Sequence, residues 1–368
     1  MKLNYKRTLL VGFAFFLICA FWQAYDTIIP KILVEKFGMS QTWSGVIMAL
    51  DNVLALFLLP IFGALSDKCH SRRGKRTPYI LIGTLIACCL LLCLSFADTM
   101  QTRAVGKVGP DNYEESLGLI YNPDVEVYDA DSKENRPLSE IIGKEDFEKI
   151  PMVGEDGKAT DDYTNLVVPA REAYVASVTS AHKLPLILFI GILLCLLVAM
   201  GIYRSPAVAL MPDVTPKPLR SKANAIINLM GAVGGILILG LGIVFGTGKV
   251  ENSMMNYTTF FMCVVAIMMV SLVIFLFTVK EPLWANEAET TYADYVKKNG
   301  EEKTDLSGDR KLSKGEMLSL VLILASVALW YTGYNAVTSK YSVYATNVLA
   351  MDYNMTLIIA QAAAIVSY

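Results

Sequence analysis

Three ionisable residues set in otherwise uncharged apolar stretches are where this sequence could do chemistry. Asp26 stands in FWQAYDTIIP, Asp51 in MALDNVLALF and Arg204 in GIYRSPAVALMPD. A charge in hydrocarbon costs on the order of 3 kcal/mol or more, so each is a candidate proton carrier, substrate ligand or member of a buried pair. Counted from the loop that joins the first two apolar runs, Asp26 is about seven residues deep and Asp51 about nine, or ~10 to 14 Å at helical rise. The two can therefore meet at similar depth. Arg204 lies about 20 residues, ~30 Å, into its run from the same side of the bundle, which predicts a place too far inward to pair simply with Asp26. Snorkelling to the opposite interface is its alternative.

On the first run, Trp22, Tyr25 and Asp26 share a face at i, i+3 and i+4, with Gln23 beside them. An aromatic plane next to planar acceptors suits the C–H face and the hydroxyls of a sugar. The competing readings are an interfacial aromatic belt for Trp22 and Tyr25 and a structural partner for Asp26. Asp51 with Asn52 is either a ligand pair or a polar joint between two helices.

A second constellation sits in PIFGALSDKCHSRRGKRTPYILIGT, residues 60–84. Gly63 and Asp67 are one turn apart at a helix end, and Arg72, Arg73, Gly74, Lys75 and Arg76 follow within nine residues. A small residue permits close helix approach, and Asp67 can accept from an arginine or from a neighbouring helix N-terminus. Such a cluster can latch one half of a bundle against the other and release it. Asp213, ahead of the basic stretch that holds Lys217, Arg220 and Lys222, is expected to complement it as part of an inner gate. Simple topology determination is the other reading of all these cations.

The elements that must position these groups follow from composition. The chain is 54% hydrophobic and 18% charged, with a mean hydropathy of +0.46, too apolar for an ordinary soluble domain. Apolar runs occur at about 8–33, 42–66, 79–97, 184–212, 222–245, 257–279 and 315–336, each near the roughly 20 residues that span hydrocarbon. An eighth begins near Leu357. With the N-terminus inside, the inner segments hold 18 Lys or Arg and the short outer loops hold 5, which fixes the orientation. Residues 1–97 thus carry helices one to three and 181–279 helices four to six; 280–314 read as a cytoplasmic linker, and 315–368 as the start of a second half.

Between helices three and four, residues 98–180 carry 18 acidic and 8 basic residues, a surplus of ten negative charges placed outside. Their Tyr, Ile, Leu and Val content admits a small folded cap; the composition equally admits a solvated loop. The seven cysteines show neither a paired framework nor metal-ligand spacing, and the two histidines, His70 and His182, stand apart. No phosphate-cradling Gly-rich loop or HExxH occurs, so no enzyme, cofactor or metal is expected, and segregated charge makes nucleic acid an unsuitable partner. Glycines 231, 234, 235, 240 and 242 predict close helix packing by the fifth run.

Gly63-x3-Asp67-x6-Gly74-Lys75-Arg76 resembles the loop between helices two and three of the major facilitator superfamily, in the form found in sucrose transporters and the glycoside-pentoside-hexuronide cation symporters. SPAVALMPDVTPKPLRSKANAIINLMGAVGGI, residues 205–236, resembles a second sucrose-transporter segment in the same order. The resemblance implies an all-α polytopic membrane protein of six plus six helices, of which about seven and a half are present. It also implies secondary active transport of a sugar or glycoside, with protons, by a monomer in the plasma membrane. The sequence departs from the family at the cation-binding carboxylates of melibiose-permease relatives, where Ala55 and Leu59 stand. It departs again at the helix-four Asp and the arginine of sucrose transporters, where Leu197 and Val208 stand. Efflux or facilitated passage of another small molecule, and a non-transporting sensor built on the insert, are the alternatives.

Overall fold

The computed structural model describes residues 2–106, 108–129, 132, 134–155, 159–299, 313–347, 351, 355–359 and 362–363. Helix α1 (Tyr5–Lys31) continues without a break into a π-turn segment, Ile32–Lys36. Pro30 has no N–H to give to the Asp26 carbonyl one turn earlier, and the wider turn that follows carries Lys36 into full burial. After Ser40, whose hydroxyl accepts from the Trp43 N–H at the helix start, comes α2 (Gln41–Asp67), and then α3 (Thr77–Val105), eight residues longer at its far end than the apolar run that announces it.

The insert holds α4 (Tyr113–Ile120), a hairpin of β1 (Glu126–Asp129) and β2 (Glu134–Pro137), and the short helices α5 (Leu138–Ile141) and α6 (Lys144–Phe147). It ends in α7 (Val168–Ala181). The chain then runs through α8 (Leu184–Val214), α9 (Arg220–Val244), α10 (Thr258–Thr278), α11 (Glu281–Asn299) and α12 (Lys314–Asn347). Among the described residues six helical spans, 5–36, 41–67, 77–105, 184–214, 217–244 and 258–278, are long and apolar enough to cross a membrane. The expected seventh run lies within α12, while most of the expected eighth helix lies outside the described residues.

These spans pack as a bundle. α1 lies against α9 and α10, α3 against α8 and α10, and α2 against α8. The α1–α9 contact is close because α9 offers glycine: a Cβ on Gly234 would stand 2.8 Å from the Phe16 carbonyl oxygen. Gly240 faces open space instead, so only part of the glycine series serves packing. α2 is the least covered span, with Leu56 and Phe57 60 to 70% exposed. Its outward face is free for lipid or for a second half of the bundle.

Residues 106–182 enclose an apolar centre of their own, built from Leu117, Ile120, Val127, Leu138, Phe147 and Tyr163. Arg171 of α7 is buried and donates to the Tyr163 hydroxyl and to Ser253, each at 3.0 Å, which ties the insert to the loop between α9 and α10.

At the opposite end of the bundle lies the polar segment that follows the sixth span. Residues 281–299 of it form a helix, α11, that packs on α8. Arg7 of α1 pairs with Glu287 and lies 5.3 Å over the Trp284 ring, fastening α11 across the basic end of the bundle. Residues 300–312 of the expected linker lie outside the described residues.

Candidate functional site

A narrow cleft between α1, α2 and α8 gathers Trp22, Asp51, Ala55, Leu59, Leu197 and Arg204. Asp51, Ala55 and Leu59 recur every four residues, so one face of α2 looks into the cleft. Leu197, Gly201 and Arg204 do the same for α8. The Arg204 guanidinium lies over the Trp22 indole, 5.2 Å from the ring centre. Asp51 lines the same cleft, and Asp26 stands one turn beyond Trp22 on α1.

No ion pair joins Arg204 to Asp26 among the described residues; the contact Arg204 makes is with the Trp22 ring. α8 is 31 residues long, ~46 Å, so it overruns the ~30 Å of hydrocarbon and its first residues do not mark a membrane surface. Depth counted from the start of the run is therefore an overestimate of depth in the membrane.

The aromatic reading also changes. At about 100° per residue, Tyr25 and Asp26 point in different directions from α1. Asp26 is exposed on the open side, whereas Tyr25 is 1% exposed, stacked with Phe21 at 6.1 Å and edge-on to Trp22 at 5.2 Å. Tyr25 is thus a wall behind the site and offers no free ring face. One face of Trp22 is taken by Arg204, so the indole holds the cation in place. Gln23 donates to the Thr27 hydroxyl at 3.2 Å, and Asn52 donates to the Asp51 carboxylate at 2.8 Å.

The second constellation assembles at the basic end. Arg76 is 7% exposed at its side chain and reaches Asp213 at 2.8 Å, Asp67, the Ser66 hydroxyl and the Gly63 carbonyl. Burial works against its charge, but the hydrogen bonds and charges of Asp213 and Asp67 outweigh that and hold the guanidinium pKa above its ordinary value. One arginine thereby joins the end of α2, the start of α3 and the end of α8. Arg76→Lys keeps the charge but cannot span these acceptors in a planar fork. It is expected to cost about 1–2 kcal/mol, read as a lower unfolding midpoint in detergent; an unchanged midpoint would show that the fork is not used.

Arg72, Arg73 and Lys75 are exposed and send no side chain into this network. Arg220 donates to the Pro212 carbonyl at 2.6 Å and the Thr215 carbonyl at 3.3 Å, shaping its own loop and not the latch.

The residue that sequence reasoning missed is Glu281, at the start of α11. Its carboxylate is 3% exposed and accepts the N–H groups of Lys75, Arg76 and Thr77 at 2.6, 2.9 and 2.8 Å, and the Thr77 hydroxyl at 2.7 Å. It caps the positive end of α3 from 205 residues away. Gly74, at φ +111°, passes so close that a Cβ would collide with this carboxyl group. The signal was an acid and a proline, Glu281-Pro282, directly after the sixth run, which marks a helix start.

A family model described as Major Facilitator Superfamily matches residues 173–368, and one described as MFS/sugar transport protein matches residues 10–105. Sucrose transport protein SUC3 of Arabidopsis thaliana is 30% identical over 64 residues, 17% of this chain and 11% of that protein. Sucrose transport protein SUC4 of the same plant is 35% identical over 52 residues, 14% and 10% of the two chains. Proton-associated sugar transporter A of Mus musculus is 31% identical over 94 residues, 23% and 12%. The matched segments therefore span only 10 to 12% of these relatives' own lengths. No solved structure matches the chain.

Proposed function

Because the chain belongs to the Major Facilitator Superfamily, whose model matches more than half of it, we propose that it moves a sugar or glycoside across a membrane by alternating access, coupled to protons at the cleft between α1, α2 and α8. The observation that carries this reading is Arg204 held on Trp22 in one cleft with Asp51, with Asp26 one turn beyond Trp22 on α1. Two carboxylates and one guanidinium leave one surplus negative charge, and one proton removes it. A cleft that is neutral only when protonated links cargo and proton: Asp26, exposed on the open side, is the group a proton or a sugar hydroxyl meets first. Leu197, Ala55 and Leu59 line the same cleft, so the positions at which relatives are expected to carry acids here carry only apolar wall.

In this reading the N-terminus and the basic end face the cytoplasm, where 18 Lys or Arg gather, and the acidic insert lies outside. The membrane is the plasma membrane and the working unit a monomer. The Arg76 network and the Glu281 cap are then an inner gate that opens as the halves rock.

Uptake of radiolabelled mono- and disaccharides into vesicles carrying the full-length protein tests this, with and without an inward proton gradient. The gradient is expected to drive accumulation in wild type. In Asp26→Asn the internal sugar should rise only to the external concentration, while sugar exchange continues. Unchanged accumulation in that variant would remove Asp26 from coupling; no sugar taken up by either protein would favour efflux of another solute or a sensor function.

A further inference from the structure

The basic end of the bundle contains a cavity of about 780 Å³, walled by the α2–α3 loop, the segment between α8 and α9, and α11. That volume is in the ~300–1,000 Å³ range of small-molecule sites. We infer that this cavity binds a phosphate monoester, carried either by a soluble metabolite or by a lipid headgroup.

The charge on its walls argues for an anion. Arg72, Lys75, Lys217 and Arg220 line it together with Asp213, Glu281 and Glu289. Two of the three acids are already engaged, Asp213 by Arg76 and Glu281 by the N-terminus of α3. Glu289 alone remains against four cations. The side chains of Arg72 and Lys75 make no ion pair among the described residues. Lys217 rests on the Tyr292 ring, its Nζ 5.2 Å from the centre, a contact that positions the ammonium without neutralising it. Arg220 is held rigid by two backbone carbonyls.

Like charges on two walls, the α2–α3 loop and the segment between α8 and α9, repel unless an anion sits between them. A phosphate monoester carries close to two charges and three acceptor oxygens, which matches four basic side chains on two walls better than a single carboxylate does. Tyr292 and the alanines of α11 leave room for a body the size of glycerol or a sugar. A ligand here would add links between the loop that carries Arg76 and the segment that follows Asp213, and so would hold the latch closed.

The test is a thermal-shift titration of the full-length protein in phosphatidylcholine nanodiscs. Glycerol 3-phosphate is titrated in one arm, against glycerol at matched ionic strength, and phosphatidic acid is mixed into the lipid in the other. Saturable stabilisation in the first arm supports a soluble ligand, and stabilisation confined to the second supports a lipid headgroup. Lys217→Gln is expected to weaken apparent affinity about tenfold, and Glu289→Gln to strengthen it about threefold. Lys298→Gln, on α11 but outside the cavity, should leave it unchanged. Absence of saturable stabilisation in both arms would overturn the proposal, as would a loss in Lys298→Gln equal to that in Lys217→Gln, since general surface charge would then explain the effect.

Discussion

Lys36→Met is expected to lower the stability of the bundle by about 3–5 kcal/mol, and Lys36→Met combined with Asp98→Asn to recover most of that loss. Lys36 and Asp98 are both fully buried, with Nζ and Oδ1 2.7 Å apart. The ammonium also donates to the Thr102 hydroxyl at 3.0 Å and lies 5.0 Å from the centre of the Tyr257 ring. Gln101 fixes the same turn, donating to the Lys36 carbonyl and the Thr179 hydroxyl, each at 2.8 Å. The cluster therefore joins α1, α3, the start of α10 and the insert at one point. Removing the lysine alone strands a carboxylate where no water reaches it, and that stranded charge is the source of the large effect. Neutralising both partners removes the penalty while an isosteric asparagine keeps the volume. Unfolding midpoints of the two single variants and the double variant, in one detergent, give the coupling directly. If the double variant is as unstable as the sum of the singles, the pair is not coupled and the packing of the lysine stem is what matters.

The contrast between this cluster and the cleft shows what a sequence discloses. Asp26, Asp51 and Arg204 stand out because each interrupts an apolar run, and rarity in hydrocarbon is itself a signal. Lys36 and Asp98 lie at run ends, where charges are common, and Lys36 read as one more outer-loop cation. Only the π turn after Pro30 carries it inward, and no periodicity announces that turn. The six apolar spans were legible from length and hydropathy, and Asp67 and Asp213 from their place beside a basic loop. Their common partner was not, because five cations compete within nine residues and only Arg76 stands at the first turn of α3, facing inward. The orientation of Tyr25 was misread because i+3 spacing groups it with Trp22 while the turn of the helix separates it from Asp26.

Glu281→Ala is expected to be the most damaging change at the basic end, costing about 2–4 kcal/mol. The carboxylate accepts three consecutive backbone N–H groups and one hydroxyl while nearly fully buried, so its loss orphans all of them at once. Glu281→Gln retains one acceptor oxygen without charge and should fall between. Gly74→Ala supplies the decisive comparison. In wild type the new methyl group meets the Glu281 carboxyl and must also adopt a φ of +111°, and the two penalties combine. With Glu281→Ala in place the collision is gone and only the backbone strain, about 1–3 kcal/mol, remains. Gly74→Ala should therefore cost clearly less in the Glu281→Ala background than alone, a sign of coupling that two independent defects would not give. Equal costs in both backgrounds would mean that the carboxylate does not sit over Gly74 in solution. The same pair separates a cap from a gate: if α11 only stabilises α3, transport per folded molecule is unchanged in Glu281→Gln. If the contact must break during the cycle, weakening it changes the transport rate as well as the unfolding midpoint.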